Sequence, residues 1–208
     1  MTKRYKVIEK DTEGNATEKE VGLRELWNYV SEEEWKKESR DSELRYFHDT
    51  HRHCGSCGAE MRESSDISRK CTVCGREDFP NLSPAILVLV KRGEKALLVH
   101  ARNFTRPMFA LVAGFVETGE SLEECVMREV REETSLEINN IRYFGSQSWP
   151  FPSQLMIAFT ADYSSGDIIF ADEELTQGGW FDRENVPLLP TLSSLSRRLI
   201  DAWLNNII

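Results

Sequence analysis

The glutamates of residues 122–134 are out of phase with the solvated side of the helix they belong to, and that conflict limits what the chain can become. Ser121 followed three residues later by Glu124 is a capping box, which starts a helix at Leu122 and carries it to about Thr134. At about 100° per residue, Leu122, Cys125, Val126 and Val130 make one apolar stripe, with Glu129 and Glu133 inside it and Glu132 on its border. Glu123, Glu124, Met127 and Arg131 take the far, solvated side. Carboxylates aimed at a packed face repel one another and drift toward protonation unless positive charge sits among them. A divalent cation is the simplest source of it. A glutamate-rich helix is ordinarily a salt-bridged surface; the phase of these three argues otherwise.

A second metal signal lies upstream. Cys54-Gly-Ser-Cys57 and Cys71-Thr-Val-Cys74 are two tight pairs separated by thirteen residues. Four thiolates on two turns supply a tetrahedron of soft ligands suited to Zn2+, and a closed four-sulfur site is structural. A disulfide framework and redox thiols compete with this reading. The lack of secretory context and the knuckle spacing of both pairs weigh against them. His51 and His53 adjoin the first pair but are not needed as ligands, and the fifth cysteine, Cys125, reads as a buried inert thiol. The loop 58–70 is mixed in charge and has no aromatic residue for stacking bases, so the ribbon reads as a scaffold.

The 208 residues leave room for one catalytic domain with a smaller appendage. A net charge of −9 repels polyanions, so a nucleotide must be met by local cations or bound metal. The longest apolar run, Ala85 to Val90, is too short to span a bilayer, and Met-Thr-Lys-Arg-Tyr has no signal-peptide core, which predicts a cytoplasmic protein without membrane association. The expected divisions are a segment 1–47 of unread role, a zinc ribbon over 48–80 and a catalytic domain over 81–208. Tyr5 to Glu9 is read as a strand, Asp11 to Asn15 as a turn, and Gly22 to Tyr46 as one or two charged helices that serve packing or dimerisation.

Ala85 to Val90, the turn Arg92-Gly93-Glu94 and Ala96 to His100 form a hairpin, followed by a strand at Ala110 to Ala113, the glutamate helix and a strand at Ile141 to Ser146. This order predicts an α+β domain with a mixed sheet flanked by helices. His100 reads as a surface side chain. Leu155 to Tyr163 and Asp167 to Phe170 are read as a second hairpin, Asp172 to Leu175 as the opening of a short helix, and Leu195, Leu199, Ala202 and Trp203 as the buried side of a closing helix.

Beyond phase, Gly114, Glu120, Arg128, Glu129, Val130, Glu132, Glu133 and Leu136 fit the pattern G-x5-E-x7-R-E-U-x-E-E-x-G-U, with Ser135 where the pattern has glycine. This resembles the Nudix box of the Nudix hydrolases, which cleave nucleoside diphosphates linked to another group. Gln147-Ser148-Trp149-Pro150-Phe151-Pro152-Ser153-Gln154 is similar to an array that marks the NADH pyrophosphatase group within that family, and the four-cysteine ribbon is the same group's second hallmark. Ser148 stands where that array has proline. The resemblance implies a Nudix α/β/α sandwich behind a small zinc ribbon. It also implies that Glu129, Glu133 and Glu174, with the carbonyl of Ala113, hold Mg2+ or Mn2+. Glu132 shares a metal or helps deprotonate the attacking water, Arg128 fixes the loop and Glu120 orients it. Phe79, Phe115, residues Gln147 to Gln154 and Ser196 are the implied substrate contacts, with Phe79 in place of a tyrosine.

The implied reaction is hydrolysis of NAD(H) to nicotinamide mononucleotide and AMP, with removal of NAD caps from RNA as a close variant and a homodimer as the implied assembly. Two alternatives stay open. One is hydrolysis of ADP-ribose or another nucleoside diphosphate derivative; the other is a non-catalytic nucleotide-binding or zinc-ribbon protein on a spent scaffold, against which the intact box carboxylates weigh.

Overall fold

The protein is described by a computed structural model that covers residues 3–10, 14–170 and 174–208. Its contacts divide it into two units, residues 1–82 with 148–154, and residues 83–147 with 155–208.

In the first unit, β1 (Tyr5–Lys10) and β2 (Ala16–Val21) pair antiparallel, with Tyr5 opposite Val21. Part of the expected turn between them, residues 11–13, lies outside the described residues. A lone two-stranded hairpin is marginal in water, and this one is covered by α1 (Leu23–Leu26) and α2 (Glu32–Thr50). The Ser31–Glu34 capping box starts α2, so the helical pattern read from Gly22 onward breaks in two. Val7, Val21, Leu23, Leu26 and Trp35 close a small core, in which the Trp35 indole N–H donates to the Leu23 carbonyl at 3.0 Å. The same unit holds a three-stranded sheet of β3 (Met61–Ser65), β4 (Ser68–Cys71) and β5 (Glu77–Asp78).

The second unit is built on a six-stranded sheet. Along it run β11 (Leu175–Phe181), β7 (Lys95–Ala101), β6 (Ser83–Arg92), β10 (Gln154–Ser165) and β9 (Glu137–Trp149), and β8 (Val112–Phe115) pairs with β6. The uninterrupted apolar run in β6 follows from burial on both faces. Ile86, Val88 and Val90 face a core shared with Cys125, Val126 and Val130 of α3 (Leu122–Thr134). Leu87 and Leu89 face a second core shared with Leu195, Leu199 and Trp203 of α4 (Leu195–Leu204). The unit is therefore the expected α/β/α sandwich. Trp203 is fully buried, and its truncation to alanine would cost about 3–5 kcal/mol.

Three local expectations are corrected. Residues 167–170 form no strand: the Ile169 N–H donates to the Thr134 carbonyl at the end of α3, and the Phe170 ring lies over Gly178. Of the expected helix at 172–175, residues 172 and 173 lie outside the described residues, Glu174 is a bend and Leu175 already belongs to β11. Pairing with β7, Trp180 opposite Leu97, outweighs the local acidic start signal. The strand expected at Ala110 to Ala113 begins at Val112, because Ala110 makes only an isolated bridge to Val99.

Candidate active site

α3 begins and ends where its sequence says. The Ser121 Oγ accepts from the Glu124 N–H, and the Ser121 N–H in turn donates to the Glu124 carboxylate. Past the last turn Ser135 takes a left-handed conformation, φ 60°, at the position where the box pattern has glycine. Burial follows the helical phase: Glu133 is only 4% exposed, Glu129 is half-buried, and Glu132 faces solvent.

One guanidinium organises this cluster. Arg128 donates to both oxygens of Glu120 at 2.7 and 3.0 Å, to Glu129 Oε1 at 2.8 Å, to Glu132 Oε2 at 3.0 Å and to the Phe115 carbonyl at 2.9 Å. Arg128 and the Glu117 N–H hold the Glu120 carboxyl down at about 2. Burial pushes Glu129 the other way, above the usual carboxylate range; Arg128 opposes that rise, and Glu132 and Glu174 add to it. Burial likewise pushes the Cys125 thiol up to about 12, in keeping with an inert thiol.

The glycine of β8 has a steric reason to be glycine. A Cβ on Gly114 would stand 1.8 Å from Glu129 Cδ, so the carboxylate lies against bare backbone. Next to it opens a cavity of about 640 Å3 whose lining includes Ala113, Glu133 and Glu174. The cavity thus gathers acids from a helix and a strand entry, and carboxylate oxygens suit a hard divalent cation which retains water. Arg102, Asn103 and Phe104 line the same cavity. None of these three carried a sequence signal. His100 is not a surface side chain, because its Nδ1 lies 2.7 Å from the Met108 carbonyl and its ring packs between Phe104 and Phe109.

The remaining expected contacts are distributed over both units. Phe115 is half exposed in the second unit. There Gln147 donates to the Ser193 carbonyl at 2.8 Å, just before α4, while Ser196 lies half-buried on α4. Phe79 is half exposed in the first unit, which also contains Ser148 to Gln154. Ser148 donates to Glu43 at 2.8 Å, Pro150 is buried, and Pro152, Ser153 and Gln154 follow at the unit's surface or partly beneath it. Trp149 and Phe151 meet edge to face at 5.0 Å, and the Arg24 guanidinium stacks on both, 4.0 Å from the Phe151 ring centre and 5.4 Å from that of Trp149. Arg24 belongs to the segment that gave no functional reading.

Also in the first unit, the sulfurs of Cys54, Cys57, Cys71 and Cys74 all lie within 4.8 Å of one another, with pairs at 3.5 and 3.6 Å. A tetrahedral zinc with bonds of about 2.3 Å sets sulfurs about 3.8 Å apart, so the cluster fits one metal ion. Gly58 and Gly75, each just past the second cysteine of a pair, take φ 75° and close the two turns. The Val73 and Cys74 N–H groups point at the Cys71 sulfur and bring its thiol below the ordinary thiol range, as suits a metal-binding sulfur. No histidine joins this group among the described residues.

Residues 81–203 match the NUDIX domain family, and the chain belongs to the Nudix family. Its relatives include proteins called NAD-capped RNA hydrolase NudC. That of Pseudomonas aeruginosa PAO1 is 45% identical over 154 residues, 74% of this chain and 55% of the relative. That of Chromobacterium violaceum is 46% identical over 163 residues, 78% of this chain and 62% of the relative. The chain thus spans little more than half the length of these relatives. Among solved structures, a Nudix hydrolase from Nitrosomonas europaea superposes with a TM-score of 0.64 at 21% identity, over 74% of this chain and 91% of that one, a likeness of fold alone.

Proposed function

We propose that this chain is a metal-dependent hydrolase of the NAD(H) pyrophosphate, yielding nicotinamide mononucleotide and AMP. The observation that carries the reading is the cavity in which Ala113, Glu133 and Glu174 meet beside the Arg128-bound Glu129 and Glu132. The names of the relatives supply the substrate class. Mg2+ or Mn2+ held by Glu129, Glu133, Glu174 and the Ala113 carbonyl would neutralise the pyrophosphate and lower the pKa of water. Arg128 fixes the loop 115–120 through Glu120 and the Phe115 carbonyl, so the carboxylates keep their spacing without reorganising. Glu132, exposed and tethered through one oxygen, accepts the proton of the attacking water.

The relatives' names also favour a second substrate, NAD-capped RNA. In the same reading residues 48–80 are a zinc ribbon, 81–208 the hydrolase domain and 1–47 a packing element. The array Gln147 to Gln154, Phe79, Phe115 and Ser196 touch the substrate, and the enzyme works in the cytoplasm as a homodimer. Light scattering of the purified chain tests the dimer.

The decisive measurement is AMP release from NADH with Mn2+. Glu133→Gln is expected to lose about 10^3-fold in turnover while its melting temperature holds. Full turnover by that variant excludes this site. Running ADP-ribose and NAD-capped RNA beside NADH ranks the substrates.

A further inference from the structure

The cavity of the second unit has a wall that the acidic site does not use. Phe104 and Asn103, on the turn that follows β7, line the cavity together with Glu133 and Glu174, with Val99 and Leu111 as apolar lining. At about 640 Å3 it has the volume of a small-ligand pocket, apolar with a few polar groups. Phe115, the ring that the sequence offered from this unit for stacking, is not part of its lining.

The wall is held in place. Phe104 meets the His100 ring edge to face at 5.7 Å, His100 packs on Phe109 at 5.6 Å, and Phe109 packs on Phe181 of β11 at 5.5 Å. The Phe104 N–H closes a tight turn onto the Ala101 carbonyl at 3.0 Å. The Arg102 N–H donates to the Glu174 carbonyl at 2.8 Å, so the turn that carries the ring is tied to the backbone of an acidic wall residue. Beside the ring, the Asn103 side chain is exposed and makes no hydrogen bond among the described residues, leaving an amide donor and acceptor free at the cavity edge.

We propose that Phe104 and Asn103 are the ring-reading pair of this pocket: Phe104 stacks on a flat heteroaromatic ring while Asn103 pairs with a donor and acceptor on its edge. This rests on the dinucleotide reading above. Two parts of such a substrate carry that chemistry, the carboxamide of nicotinamide and the amino and ring-nitrogen edge of adenine, which an asparagine amide matches bidentately. An aromatic platform preorganised by its neighbours gives binding without ordering cost at each encounter, and acts equally in ground and transition states. Its loss therefore raises KM more than it lowers kcat.

The test uses the full chain with Mn2+ and three substrates: NADH, an analogue with hypoxanthine for adenine, and an analogue with acetylpyridine for nicotinamide. Phe104→Ala is expected to raise KM for NADH roughly tenfold or more, the size of a lost base stack, with kcat within about twofold; Phe104→Tyr restores it. Asn103→Leu is expected to abolish a roughly tenfold preference over one analogue, the hypoxanthine compound if adenine occupies the pocket or the acetylpyridine compound if nicotinamide does. An unchanged KM in folded Phe104→Ala, or equal losses in Phe104→Ala and Phe104→Tyr, overturns the stacking role, and unaltered preferences in Asn103→Leu overturn the reading role. Metal-free fluorescence titration with NADH separates this from failure of the hydrolase reading. Weaker binding by Phe104→Ala without any turnover in the wild type supports the pocket and sinks the chemistry, whereas unchanged binding sinks the pocket.

Discussion

The sulfur cluster and the carboxylate cluster answer one electrostatic problem, anionic ligands brought close together, in opposite ways. The sulfurs come from two short turns between residues 54 and 74, and their separations fit one closed tetrahedron. The carboxylates come from a helix, from the loop before it and from the entry to a distant strand, an arginine holds three of them, and a cavity lies open beside the others. A closed soft site has nothing left to offer a substrate. An open hard site keeps positions for water and phosphate, which is what hydrolysis requires. Local spacing suffices for the first, whereas the second needs the sheet.

The largest expected effect breaks the sulfur side alone. Cys71→Ser, or a strong chelator, should unfold the ribbon, since apparent zinc-binding energies of about 10–16 kcal/mol in such sites are folding energy. Hydrogen exchange should show β3 and β4 losing protection while α3 keeps its own. A ribbon that stays protected without metal ends the comparison.

The next tests the arginine's place on the carboxylate side. Glu120 titrates near 2 in the folded chain, below its ordinary 4.5, so its bond to Arg128 contributes stability above about pH 4.5 and loses it as pH falls toward 2. Melting temperature should therefore drop across that window. In Glu120→Gln the protein should start less stable at neutral pH and show a shallower acid slope; an identical slope means the pair is not what Arg128 is for.

The smallest effect sharpens the helix itself. Ser135 at φ 60° carries a left-handed penalty of about 1 kcal/mol that glycine avoids, offset in part by its Oγ bond to the Ile169 carbonyl. Ser135→Gly should raise the melting temperature by about 2–4 °C, measured calorimetrically, and a fall would mean that the hydroxyl bond outweighs the strain.

Much of this architecture was readable before any coordinates. Ser121 and Glu124 marked the start of α3, the run Ala85 to Val90 marked a strand buried on both sides, and the phase of Glu129 and Glu133 marked the inward face. What failed were segments whose partners lie far away in sequence. Residues 167–170 looked like a returning strand but spend a backbone bond on the end of α3, and Leu175 looked helical until β7 offered a ladder. His100 looked superficial because nothing local announces Phe109 as its neighbour.

By itself the sequence determined what depends on near neighbours: the capped helix, the two cysteine turns, and which carboxylates face inward, because helical pitch and tight-turn geometry act within a few residues. Only the tertiary structure decided that Glu174 and Ala113 join Glu133 at one cavity, that Gly114 must lack a Cβ to admit Glu129, and that Phe104 and Asn103 line the same cavity. Those contacts join residues tens of positions apart, and their geometry is set by strand order and packing, which local propensity does not encode.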